Sequence, residues 1–511
     1  MSPGAGRPVI AWRDAARGRL SSGTFDLVVI GGGITGAGVA RDAALRGLSV
    51  ALVERDDFAS GTSSRSSRLI HGGVRYLEHG HFHLVFEASH ERRTLLQTAP
   101  RLVRPLRFTW PVYAGARIPR WKLSAGLGLY DALALFSNVG RHRRRSASGI
   151  CEAEPALRSD DLLGGAQYWD AATDDSVLTL ATVLSAAAHG AVVLNHARVI
   201  ALTGGESPEL VIRDSLGAGD FTVRARTVVN ATGPWTDDIR RLEAAESPAA
   251  VLGTKGVHIA VPAARVGNRG AITMLSPRDA RVMFCLPAGE QTIIGTTDTA
   301  TTMPPDDVRA TRDDVAYLLE AVNAYFPGAA LTARDVLASW AGIRPLVAAR
   351  NAGDPASASR EHAIATGPRG IITVTGGKLT TYRRIAEQVV DVVVRKLRAQ
   401  PTAHSCRTAL EPLELPPRSP VFGQLFEPIL PGHAWTLADA VHGAEREMAC
   451  TLGDILIRRT KVAFASRDHG IPAALRVAQA VARHLDWDAA ECARQVESYC
   501  AECARMFTVE A

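Results

Sequence analysis

An α/β fold with a second unit of mixed or antiparallel sheet and an all-α C-terminal domain is predicted by three features of this 511-residue sequence. A glycine-rich turn, "GGGITG" (31–36), stands between an apolar run and a helix-like stretch. Two later segments, "TVVNATGPW" (227–235) and "GIITVTGGKLTTYRRIAEQVV" (370–390), again read as strands running into glycine. Beyond a proline-rich stretch at 411–423, apolar residues recur at helical spacing over 435–511.

Phe25 to Ile30 is nearly all apolar, as a strand buried on both faces of a parallel sheet should be. Gly31 permits a tight turn, Gly33 lets backbone approach a pyrophosphate, and Gly36 lets helix and strand pack closely. The following helix presents free N–H groups and a positive dipole end to the phosphates. A second apolar run, Val50 to Val53, delivers Glu54 eighteen residues after Gly36. That carboxylate suits a ribose diol and repels a 2′-phosphate, so the site is a Rossmann-like dinucleotide site that disfavours NADP.

NAD and FAD are separated by what lies further along the chain, because the flavin end of the longer cofactor needs contacts from distant segments. "FASGTSSRSSRLIHGGVRYLE" (58–78) is a hydroxyl-rich loop in which Thr62, Ser63, Ser64, Ser67, His71, Gly72 and Gly73 can follow a pyrophosphate toward a ring. Ala231, Thr232 and Gly233 end a β-branched strand and suit close backbone approach. Gly376, Gly377, Lys378, Leu379 and Thr380 form a glycine turn that opens a helix. Three separated segments fit FAD, held non-covalently. With no second complete GxGxxG, the electrons come from another substrate rather than from NAD(P)H.

Hydrophobic residues make up 46% and charged residues 22% of the chain, the values of a soluble multidomain protein. No apolar run is long enough for a membrane span, and residues 1–24 carry no signal-type apolar core, so they read as a flexible extension. Seven cysteines without repeated spacing indicate free thiols in a reducing compartment. Cys500 and Cys503 form a C-x-x-C with no second pair to complete a zinc site. "HGHFH" (79–83) would place alternating histidines on one strand face, but nothing completes a ligand set, so no metal is expected. The net charge of +6 is local: residues 101–145 hold ten Lys or Arg and one acid, Asp131.

The run of "GGGITG", "TSSRSSRLIHGGVRYLE", "VVNATGPW", "KGVHIAVP", "IIGTTD", "AGIRPL" and "GGKLTTYR" resembles the FAD-dependent glycerol-3-phosphate dehydrogenases, of the D-amino-acid-oxidase-like flavoproteins. The resemblance spans about 25–384 and continues more loosely through "EREMACTLGDILIRRT" (445–460). It implies oxidation of glycerol 3-phosphate to dihydroxyacetone phosphate, with electrons passed to membrane quinone. A flavin domain of about 25–100, 176–235 and 340–395 would then interleave with a substrate domain of about 101–175 and 236–339. A linker, 396–434, leads to the helical domain, 435–511.

A phosphate dianion calls for Arg forks or Lys, and the matching positions are Arg344, Arg360 and Lys378, with Arg75 a further substrate contact. His258 is the expected base, with His71 the other candidate, because an imidazole titrates near neutrality. A related amine or amino-acid oxidase would instead use Arg344 on a carboxylate and oxygen as acceptor. A nucleic-acid-binding role for the basic window would use Trp110, Tyr113, Trp121 and Tyr130 for stacking, but resembles no RNA-binding signature. The window's order of cations, aromatics, a 14-residue apolar piece (123–136) and "RHRRR" instead suggests docking on an anionic membrane, which places the protein in the cytoplasm at the inner face of the cell membrane. A homodimer is a further expected assembly.

Overall fold

The computed structural model describes residues 9–135, 138–203, 205, 207–217, 219–348, 361–398, 405–417 and 423–510. Two sheets carry the chain. In the first, Thr24–Ile30 lies between Gly219–Asn230 and Val50–Val53, parallel to both. Ile372–Thr375 and Val192–Leu194 extend the parallel set outward on the two sides. Ala363–Thr366, Glu209–Asp214 and Ala197–Leu202 add antiparallel pairs, completing eight strands. Helices Ile34–Leu45, Asp175–Ala188 and Tyr382–Leu397 cover one face, burying Val39, Ala43, Val183, Val389 and Val393 against Leu27, Val29 and Leu52. Both faces of the central strand are therefore dry, as its unbroken apolar run requires.

The second sheet has ten strands. Its long members, Val103–Tyr113, Leu162–Thr173, Val251–Pro262 and Ala338–Val347, pair antiparallel, while Ala271–Leu275 runs parallel to Val103–Tyr113. Val282–Ala288 and Gln291–Gly295 form an antiparallel hairpin. Behind them lies a helical C-terminal unit of Leu437–Arg446, Ile471–Leu485 and Ala489–Phe507. No helix among the described residues is long and apolar enough to cross a membrane.

Several expectations change. Residues 1–24 do not read as a flexible extension where they are described: Val9–Ser22 is a helix whose Ala16 and Leu20 are buried against the first sheet. The spacing of those two residues, a single helical turn, was the available signal. The histidines of 79–83 do not share a strand face, since His81 precedes the helix Phe82–Thr98 and His83 lies within it. Residues 340–347 belong to the second sheet, because Ala338–Val347 pairs along its length with Val251–Pro262. Leu69–Ile70, assigned to the flavin unit, likewise joins the second sheet through Leu162–Thr173. The stretch 396–434 is no free tether at its described residues: Leu413 is buried, its N–H donating to the Thr98 carbonyl, and Arg41 donates to the carbonyls of Glu411 and Pro412.

Candidate active site

Between the sheets lies one cavity of about 820 Å³ lined from end to end by the predicted segments. At one end Ile30, Gly31, Gly33 and Ile34 form the glycine turn. Gly31 has φ +107°, and a Cβ there would stand 2.7 Å from the Ala231 carbonyl oxygen. At Gly36 a Cβ would overlap the Gly31 oxygen, so this glycine permits the helix to start beside the strand and does not itself line the cavity. The N-terminus of the helix Ile34–Leu45 has no side-chain cap from Gly33, and Ser63 Oγ accepts the Ile34 N–H at 3.0 Å. A concave, backbone-lined cradle at a helix N-terminus whose N-cap residue is a glycine fits a pyrophosphate.

Glu54 closes the same end. Its carboxylate accepts the Gly32 N–H at 2.6 Å and the Asp56 N–H at 2.9 Å. Burial and the neighbouring Asp56 charge push it up to about 7, against the pull of those two backbone donors. The folded apoprotein therefore favours the protonated carboxyl: that stabilising contribution is full below about pH 4.5 and is lost as pH rises through 7. A ribose diol donates to the ionised form. FAD affinity is accordingly expected to rise with pH, by up to about tenfold per unit below 7, and to level off above it. In Glu54→Gln the slope should vanish and no NAD use should appear; a slope unchanged in that variant would assign it to another group.

Of the loop residues, Thr62, Ser63, Ser67, His71 and Gly73 line the cavity, whereas Ser64 and Gly72 do not. Ser64 is buried with its hydroxyl on the Gly61 carbonyl. Gly72 donates to Asp170 and packs under Tyr130, where a Cβ would meet the phenol oxygen. Their role is to shape the loop. Ala231, Thr232, Gly233 and the turn from Gly376 to Thr380 all reach the cavity. Thr380 accepts the His71 N–H at 3.1 Å, joining two segments 309 residues apart.

The far end gathers the polar groups. His258 is buried in the strand Val251–Pro262, its ring stacked on Trp340 at 5.5 Å between centroids, with Nε2 2.8 Å from Ser67 Oγ. Burial, and then the charges of Arg344 and Arg68, push its imidazole down to about 3, so it is neutral throughout the ordinary pH range. Arg344 reaches Thr296 Oγ1 at 2.9 Å, the Thr297 carbonyl at 3.2 Å and Asp298 at 3.2 Å. The "GTTD" motif thus brackets this guanidinium. Lys378 Nζ sits 3.9 Å from the centroid of the Tyr76 ring. Arg75 lies in the turn Val74–His79, and its side chain falls outside the described residues, as does Arg360 altogether.

Sequence reasoning missed Arg281, Asp298, Thr296, Asp170, Tyr76 and Tyr168, all lining this end. In the sequence Arg281 is one cation before an apolar run and Asp170 one isolated acid, with no pattern to mark either. It also missed the C-terminal domain's reach: Phe464 packs edge-on against Trp340 at 5.1 Å, directly behind His258.

A parallel sheet with a glycine cradle and an acidic ribose partner, facing a second sheet across a long cavity, defines a flavin-dependent oxidoreductase. A family model described as "FAD dependent oxidoreductase" matches residues 26–383, and one described as "C-terminal domain of alpha-glycerophosphate oxidase" matches 413–492. The chain belongs to the FAD-dependent glycerol-3-phosphate dehydrogenase family, and FAD is its cofactor. It is 36% identical to "Glycerol-3-phosphate dehydrogenase 2" of Mycobacterium tuberculosis, with 98% of this chain and 90% of that protein aligned. It is also 36% identical to "Glycerol-3-phosphate dehydrogenase" of Synechocystis, covering 94% and 96% respectively. The solved glycerol-3-phosphate dehydrogenase of Bacillus halodurans, complexed with FAD, superposes with a TM-score of 0.74 at 29% identity, over 98% of this chain and 99% of that one. Glycine oxidase of Geobacillus kaustophilus, at TM-score 0.55 and 21% identity over 73% and 95%, shares the fold.

Proposed function

We propose that the protein oxidises sn-glycerol 3-phosphate to dihydroxyacetone phosphate and passes the electrons to membrane quinone. The observation that carries the reading is that three cations, Arg344, Lys378 and Arg281, line the same cavity as the neutral, buried His258, with Arg344 close enough for its charge to depress the imidazole. A dianionic phosphate needs several cations, whereas the carboxylate of an amino-acid substrate needs one. Bound FAD supplies the acceptor, at its N5, for the hydride leaving the substrate's secondary carbon. Arg344 and Lys378 hold the phosphate, and Arg75 and Arg360, whose side chains lie outside the described residues, are assigned to it by the family resemblance. His258 Nε2 takes the hydroxyl proton, directly or across the Ser67 hydroxyl. Phosphate beside Arg344 offsets the charge that depresses the imidazole, so substrate binding itself strengthens the base. The test is to purify the yellow protein and add glycerol 3-phosphate without oxygen: bleaching is expected, and a flavin that stays oxidised overturns the reading.

Docking on an anionic membrane at the inner face of the cell membrane is the matching proposal for the acceptor. Trp110 and Tyr113 are buried in the strand Val103–Tyr113 and are not available to a bilayer. The helix Arg120–Leu133 supplies a different surface. Its buried face holds Leu123, Leu127 and Tyr130, while Trp121 (72% exposed), Ala125, Leu129 (41%) and Ala132 point outward, followed by Leu135 (66%). Exposed Arg117, Arg120, Lys122, Arg141, Arg143 and Arg144 flank that apolar stripe. An outward apolar face with cations at its rim fits the headgroup region, each cation contributing about 1 kcal/mol near an anionic leaflet. The protein is expected to float with anionic vesicles at low salt and to lose this when Arg141, Arg143 and Arg144 become Ser. Wild type that never floats would exclude docking.

A further inference from the structure

At the seam between the first sheet and the C-terminal domain lies a buried ionic hub. Asp57 is fully buried, and its carboxylate accepts four hydrogen bonds: from Arg458 Nε at 2.6 Å, from Arg459 Nη1 and Nη2 at 2.7 and 3.0 Å, and from Asn195 Nδ2 at 3.2 Å. Asp454, also fully buried, takes Arg458 Nη2 at 2.9 Å and His196 Nε2 at 3.0 Å. Arg458 continues to Glu502 at 2.8 Å. Arg13 of the N-terminal helix reaches the same place, donating to both oxygens of Asn195. Asp57, His196 and Asp454 come within 4.8 Å of one another, the spacing of a metal triad, but the two arginines already occupy the Asp57 oxygens.

The placement of Asp57 gives the hub its consequence. It stands three residues beyond Glu54, on the loop that forms the adenosine end of the cavity. That loop is tied to the cradle and to the start of the strand Ala197–Leu202. The Ala59 N–H donates to the Gly32 carbonyl at 3.1 Å, and the Phe58 ring fills the space beside Gly32, where a Cβ would lie 2.6 Å from it. The His196 N–H donates to the Asp56 carbonyl at 2.7 Å, and the Ala197 N–H to the Glu54 carbonyl at 2.7 Å. A further restraint comes from Arg458 and Arg459, more than 400 residues away. Removing one member of a buried charged cluster leaves its partners uncompensated, and such a loop then relaxes toward water.

We propose that Asp57 and Arg459 are positioning residues through which the helical C-terminal domain sets the affinity for the adenosine half of FAD. Neither residue lines the cavity. It fixes the height of Glu54 relative to the glycine turn, so that the ribose diol meets a carboxylate already in place. Pre-organisation of this kind appears as affinity. The proposal rests on the FAD site alone and is independent of which substrate is oxidised.

The experiment measures binding of FAD, and of ADP as a probe of the adenosine half, to flavin-stripped full-length protein. Asp57→Asn and Arg459→Met are each expected to weaken both ligands at least tenfold, and Arg459→Lys to recover part of the loss because it restores charge without the fork. Weakening of FAD with ADP unchanged would overturn the assignment to the adenosine half, and unchanged FAD affinity would overturn the proposal. Wild-type hydrogen exchange keeps the test independent of variants that fail to fold. Adding FAD should protect residues 54–60 and 454–460 together, whereas protection confined to 54–60 would show that the C-terminal domain does not take part.

Discussion

Asparagine in place of His258 is expected to slow anaerobic flavin bleaching by glycerol 3-phosphate about 10²–10⁴-fold, the range lost with a positioned general base. The flavin should remain bound, because the glycine turn and Glu54, which hold the dinucleotide, are unchanged in the variant. Its imidazole is held at about 3, so the acid limb of kcat/KM should not follow an ordinary histidine. A limb near pH 6 would belong to the second ionisation of the substrate phosphate, about 6, and should persist in the variant. The burial that lowers the imidazole also limits its hydrogen bonds: Nε2 meets Ser67, and among the described residues Nδ1 has no hydrogen-bond partner. Bleaching at the wild-type rate in the variant would remove His258 from the role.

Arg344→Ala should cut kcat/KM for glycerol 3-phosphate by about 10–150-fold, corresponding to about 1.5–3 kcal/mol for a hydrogen bond to a charged group. The effect should fall on KM, since the phosphate is held equally in the ground and transition states. Glycerol, which lacks the phosphate, should be oxidised no worse than by wild type. Arg344→Lys should sit between the two, because an ammonium keeps the charge but cannot span Thr296, Asp298 and a phosphate as a planar fork does. Equal losses for glycerol and its phosphate would show that Arg344 does not meet the phosphate. The guanidinium is about one-third exposed and already paired with Asp298, which places the expected loss below that of a fully desolvated fork.

These predictions concern residues that the sequence pointed to without placing. Gly31, Glu54 and the strand between Phe25 and Ile30 were legible because their signals are local. A short apolar run, a turn needing positive φ and a carboxylate at a fixed distance report on one βαβ unit, and the unit forms as read. The discontinuous cavity was legible through glycine: three segments end in strand-to-turn backbone, and all three line it. Ser64 and Gly72 were read by composition alone, and composition does not say which way a loop residue faces.

Boundaries failed where pairing partners are remote. Ala338–Val347 resembles a strand of either sheet, and only its register with Val251–Pro262 assigns it to the second. In the mostly polar Val9–Ser22 the one-turn spacing of Ala16 and Leu20 is a weak signal, which gains meaning only from the sheet those residues cover. The sequence by itself determined the dinucleotide cradle, because that depends on backbone geometry within a short span, and the kind of cofactor, because three separated segments each carry their own local signal. Tertiary structure alone decided that "GTTD" brackets Arg344, that Trp340 and Phe464 back His258, and that Arg458 and Arg459 close on Asp57. Those contacts join segments tens to hundreds of residues apart, and their energies arise only once burial has removed the water that would otherwise screen them.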